Sequence, residues 1–144
     1  MMIGRCLCGA VQIALTDHSA GISACHCEMC RRWSGGAMMG FDAPAKAMSV
    51  SGPVRRFASS SFAERAWCDE CGSHLWFRGT ADGPEREVYE LAPGLFDGAK
   101  DLPLTREVYA DRAFRACRFT GDHARISRAE YEAEHPFLNE GDAT

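Results

Sequence analysis

Apolar and polar residues alternate over short stretches of this chain, and turn-forming Gly, Pro, Ser and Asp interrupt them every few residues. The stretches at 10–15, 21–25, 37–41, 47–50, 54–58, 74–77, 87–91, 105–109 and 116–119 each read as a β-strand. Helical signals are few. The pattern predicts a short helix over 28–34 and a second over 128–135, where Ser127 supplies the N-cap and Pro136 the stop. Longer loops are expected over 79–84 and 93–103. The fold class that follows is mainly β, in a single small domain over 1–138, with residues 139–144 expected as a frayed tail.

Charge and composition narrow the partners. The formal net charge is −4, and no stripe of basic residues stands out beyond the pairs Arg31-Arg32 and Arg55-Arg56. Nucleic-acid binding needs several phosphate contacts along one face, so it is not expected. No stretch approaches the ~20 apolar residues of a spanning helix, and the opening MMIGRCLCGAVQIALTD lacks the features of an export signal. A cytoplasmic protein with no membrane partner is expected.

The eight cysteines change the picture most, because seven fall into three clusters: Cys6 and Cys8; Cys25, Cys27 and Cys30; Cys68 and Cys71. In a reducing compartment such spacings suit shared metal ions rather than disulfides. On an extended strand Cys6 and Cys8 would point to one face, and Cys68-Asp69-Glu70-Cys71-Gly72 reads as a knuckle turned around an ion. Those four thiolates complete one tetrahedral zinc site, expected to be structural and coupled to folding. Cys25, Cys27 and Cys30 supply three ligands to a second zinc, with the fourth position left for water or an incoming thiol. His26 points away from Cys25 and Cys27 in an extended segment, and His74 lies beside the knuckle; either as a fourth ligand would shut the site. Seven thiolates and two Zn²⁺ would take the formal charge from −4 to about −7.

The segments GRCLCGAV, ACHCEMCRRWSGG and CDECGSHLWF resemble the glutathione-dependent formaldehyde-activating enzyme family, also called the CENP-V/GFA domain. The resemblance spans residues 4–77, about half the chain. It implies a zinc-stapled β-tent, a structural zinc on Cys6, Cys8, Cys68 and Cys71, and a catalytic zinc on Cys25, Cys27 and Cys30. It further implies a carbon-sulfur lyase that joins glutathione, or another small thiol, to formaldehyde or a similar aldehyde, giving S-hydroxymethylglutathione, or that runs the reverse reaction. Because glutathione carries two carboxylates, Arg31 and Arg32 are candidates to hold it through charge-assisted hydrogen bonds.

Two other readings remain open. A non-catalytic zinc-binding β-tent could serve as a protein-interaction module. A methionine sulfoxide reductase-like enzyme would use the lone Cys117, flanked by Arg115 and Arg118, as nucleophile. Trp33, Trp67 and Trp76 lie close to cysteine clusters and are expected to pack over the metals, while Trp33 or Phe41 could line a substrate pocket.

Overall fold

The computed structural model describes residues 1–139; the tail expected over 139–144 lies, apart from Asn139, outside the described residues. Its strands in chain order are β1 (Met2–Arg5), β2 (Gln12–Leu15), β3 (Ile22–Cys25), β4 (Met38–Pro44), β5 (Met48–Ser51), β6 (Val54–Ser60), β7 (Ala63–Cys68), β8 (His74–Gly79), β9 (Val88–Leu91), β10 (Leu104–Val108) and β11 (Ala124–Ile126). Helix α1 spans Glu28–Ser34 and α2 spans Arg128–Glu134. The protein is mainly β. The chain divides into two units, Met1–Ala20 with Gly40–Leu102, and Gly21–Met39 with Pro103–Thr144.

In the first unit β2 lies between β1 and β5, antiparallel to both, and β4, β9, β8, β7 and β6 follow one another as antiparallel neighbours. Alternation along β2 sends Ile13 and Leu15 inward while Gln12 faces solvent. With Val11, Phe41, Leu75, Trp76, Leu91 and Phe96 they form the core. Each such side chain stabilises by about 1.5–3 kcal/mol when fully buried. Phe96 meets Phe41 edge-on at 5.3 Å between centroids. Gly4 makes room for that ring: a Cβ there would lie 2.5 Å from it.

In the second unit β10 runs between β3 and β11, parallel to both, with Val108 opposite Cys25 on one side and Ile126 on the other. This register carries the residues that follow Val108 toward those that follow Cys25. Beside it, the buried carboxylate of Glu107 is ringed by cations and donors. His26 Nε2 lies 2.7 Å from Oε1, His123 Nε2 bonds Oε2, and Arg125 Nε lies 3.3 Å from Oε2. Burial opposes the charge, yet hydrogen bonds from His123 and His26 hold this carboxyl below the usual carboxylate range. Helix α2 starts with a capping box: the Glu130 N–H donates to Ser127 Oγ and the Ser127 N–H to Glu130 Oε1, both at 3.2 Å.

The structure departs from the sequence pattern in three places. Residues 116–119 are not a strand; the 3₁₀ turn Arg115–Cys117 stands there, its backbone bonding locally through the Cys117 N–H to the Phe114 carbonyl at 2.8 Å. The loops at 79–84 and 93–103 are partly ordered by 3₁₀ turns at Pro84–Glu87, Pro93–Leu95 and Asp97–Ala99, the first two opened by a proline that presets φ. Finally, β1, β7 and β11 are strands that the pattern did not predict.

Candidate metal centres and a cavity beside one of them

Cys6, Cys8, Cys68 and Cys71 converge in the first unit, with all four Sγ atoms within 4.8 Å of one another. Cys6 and Cys8 do so from a turn just past β1, not from a strand as the spacing suggested. The reason is local. The Gly9 N–H bonds the Cys6 carbonyl at 3.1 Å, and Gly9 takes φ of 81°, which a residue with a Cβ adopts only with strain. Across the cluster, the Gly72 N–H bonds the Cys68 carbonyl at 2.9 Å with φ of 80°, so two similar knuckles face each other.

The donor set fits zinc. A tetrahedron with Zn–S bonds near 2.3 Å has S–S edges of about 3.8 Å; Cys6 to Cys8 is 3.6 Å and Cys8 to Cys68 is 3.9 Å. Backbone N–H groups already point at the sulfurs, from Val11 to Cys6 at 3.2 Å and from Ala10 to Cys8 at 3.5 Å. The Ser73 hydroxyl links the knuckles, accepting from the Leu7 N–H at 3.0 Å and lying 3.2 Å from Cys71 Sγ. Crowded thiols without a cation divide their protons unequally. Hydrogen bonds from Ser73 hold Cys71 down at about 5. For Cys8 the Ala10 N–H favours the thiolate, but desolvation and the three neighbouring cysteines prevail and push it up to about 12.

Cys25, Cys27 and Cys30 form the second group, their Sγ atoms also within 4.8 Å of one another. All three come from one short segment: Cys25 ends β3, Cys27 is the N-cap of α1, and Cys30 is buried in its first turn. Cys27 Sγ accepts the Cys30 N–H at 3.4 Å. Hydrogen bonding to Cys27 and Cys30 holds the Cys25 thiol far above its ordinary range, as expected when thiolates crowd without a counter-charge. Among the described residues no fourth cysteine, histidine or carboxylate joins this group. His26 is turned onto Glu107, and His74 lies on β8.

A cavity of about 190 Å³ opens on Cys27, walled by His26, Glu28, Arg31, Tyr109, Arg112, Phe114 and Arg128. Arg31 lies with its guanidinium over the Phe114 ring at 5.0 Å. Arg32 does not line the cavity; it pairs with Glu28 at 3.0 Å on the exposed side of α1. Tyr109 is buried and held at φ of 54°, the one non-glycine residue with positive φ among those described. Backbone strain of this kind concentrates at functional sites. Burial, then the charge of Glu132, raise its pKa and keep the phenol neutral. Cys117 belongs to neither cluster and lines a narrower recess beside Gly36, Ala37 and Phe114. Trp76 is buried edge-on against Tyr89, and Phe41 sits in the first unit's core. Tyr109, Arg112, Phe114 and Arg128 were not singled out by the sequence; the three arginines at 112, 115 and 118 around Phe114 were the available signal.

Comparison with known proteins agrees with this chemistry. Residues 1–112 match the family described as glutathione-dependent formaldehyde-activating enzyme. An uncharacterized lyase of Schizosaccharomyces pombe is 35% identical over 109 residues, covering 75% of this chain and 77% of that protein. The chain therefore belongs to the glutathione-dependent formaldehyde-activating enzyme family, and at that level it is of lyase type. The crystal structure of a Rhodobacter sphaeroides protein superposes with a TM-score of 0.54 at 23% identity, covering 72% of this chain and all of that one, and so shares the fold. Among the described residues no helix is long and apolar enough to cross a membrane.

Proposed function

We propose that the protein is a zinc-dependent carbon-sulfur lyase that adds glutathione or a similar small thiol to formaldehyde or another small aldehyde, or cleaves the adduct. The observation that carries this reading is a group of three converging thiols, one of which, Cys27, lines an open cavity, without a fourth side-chain ligand among the described residues. Cys25, Cys27 and Cys30 would hold the catalytic zinc, and Cys6, Cys8, Cys68 and Cys71 a closed structural one. A zinc bound at the triplet would favour the thiolate form of an added thiol at neutral pH.

The residues of the chain then have modest tasks. In the addition the substrate sulfur forms a bond to the aldehyde carbon, the carbonyl π bond opens, and the thiol proton ends on the former carbonyl oxygen. No electrons pass to an outside partner. Arg31 holds a carboxylate of the reacting molecule, a charge-assisted contact that raises its effective concentration beside the triplet. Arg32, the other candidate from the sequence, is committed to Glu28 and has at most an auxiliary part. Tyr109 contributes a neutral phenol to the cavity wall.

The test combines zinc counting by native mass spectrometry with NMR exchange measurement of S-hydroxymethylglutathione turnover. Wild-type protein is expected to carry two zincs and to accelerate exchange over the uncatalysed rate. Cys27→Ser should keep one zinc and lose at least about 100-fold of that acceleration. Equal exchange rates for the two proteins would overturn the reading.

A further inference from the structure

We propose that Arg112 and Arg31 form a carboxylate clamp beside the cysteine triplet, so that a molecule reacting there must carry a carboxylate. The proposal rests on the reading that the reaction occurs at the triplet. It starts from the charges on the cavity wall. Of the three arginines there, Arg128 is already paired with Glu132 at 2.9 Å. The single acid on the wall, Glu28, is paired with Arg32 at 3.0 Å. Arg31 and Arg112 have no carboxylate partner among the described residues, so the cavity keeps an excess of positive charge that an anion would neutralise.

Geometry makes the clamp specific. The Arg31 guanidinium carbon lies 5.0 Å from the Phe114 ring centroid, a cation–π contact that takes up none of its N–H donors as ion-pair partners. Arg31 is four residues beyond Cys27 on α1, so the two share one side of the helix start. Arg112 lines the same cavity from a different element, the 3₁₀ turn Ala110–Arg112 that follows the strained Tyr109. At about 190 Å³ the cavity is smaller than the 300 Å³ or more of a pocket that encloses a drug-sized ligand, so it takes one carboxylate-bearing end of a molecule and not a whole tripeptide.

The carboxylate could belong to the thiol or to the aldehyde, and the experiment separates these sources. Turnover is compared for glutathione against 2-mercaptoethanol with formaldehyde, and for glyoxylate against formaldehyde with 2-mercaptoethanol, in wild type, Arg112→Gln, Arg112→Lys and Arg31→Gln. In parallel, S-methylglutathione, which keeps both carboxylates but has no free thiol, is titrated calorimetrically into each protein. The clamp predicts that Arg112→Gln and Arg31→Gln raise KM for the carboxylate-bearing partner about tenfold, with kcat changed by less than about twofold, and that Arg112→Lys recovers part of the loss. A rise confined to glutathione assigns the carboxylate to the thiol; a rise confined to glyoxylate assigns it to the aldehyde. If no protein turns over either pair, yet S-methylglutathione binding weakens about tenfold in both glutamine variants, the lyase reading falls and the clamp stands. Turnover with unchanged KM and unchanged S-methylglutathione affinity in both variants overturns the clamp.

Discussion

The two cysteine clusters differ in how their ligands are gathered. Cys6 and Cys8 meet Cys68 and Cys71 across about sixty residues of chain, through facing knuckles and a serine that touches both, whereas Cys25, Cys27 and Cys30 come from six consecutive positions. Drawing distant segments together costs loop-closure entropy, so an ion at the first cluster acts as a cross-link on the fold. An ion at the second closes almost no loop and contributes little to folding. Both clusters border a cavity: Cys27 of the second lines the one of about 190 Å³ among arginines, and the buried Cys6 of the first lines a wider hollow of about 520 Å³ with Ser73 and Asp97. Ligand spacing along the chain and the number of converging thiols, four against three, are thus what distinguish the two clusters.

The largest effect that would break this contrast is on stability. Cys68→Ser should lower the melting temperature by more than about 10 °C, because it removes a buried ligand from the cross-link. Cys30→Ser, equally buried in kind, should cost less than about 4 °C. Equal losses in circular-dichroism melts would show that both clusters staple the fold.

Acid sharpens the contrast at lower amplitude. Burial, reinforced by the charge of Arg65, depresses His74 in the first unit to about 4. Below the ordinary value near 6.5 the unfolded chain takes up a proton that the folded one refuses, so stability falls as pH drops from about 6.5 to 4, by up to about 3 kcal/mol. Above that window His74 is neutral in both states and adds no slope. Glu107 in the second unit is likewise depressed, but as an acid its contribution is lost only when pH falls through its own, lower folded value. Amide exchange at pH 5 should therefore show the first unit loosening before the second, and His74→Asn should remove that difference. The smallest expected change is for Arg32→Gln, whose exposed pair with Glu28 is worth less than about 0.5 kcal/mol in denaturant titrations.

The two cysteine groups were legible in the sequence because CxC and CxxC spacings are local, and both helices were legible because Ser127, Pro136 and the cysteine-rich turn mark their ends. The cavity wall was not. Arg112 and Phe114 reach Cys27 only because β10 pairs with β3 in parallel, and a parallel neighbour about eighty residues away leaves no short-range signal. Strand β7 escaped notice for a different reason: Arg65 is buried within it and disrupts the expected alternation. The segment 116–119 had the apolar content of a strand, but its backbone closes on itself in a 3₁₀ turn, with the Cys117 N–H on the Phe114 carbonyl at 2.8 Å.

Cys27 Sγ receives the Cys30 amide proton and thereby starts α1. The same sulfur belongs to the triplet, so its electron density is shared between helix initiation and whatever the triplet binds. Ligand events at that cluster will be written into the Cys30 amide resonance. A single backbone probe, read without added dye, would report on what those three thiols hold.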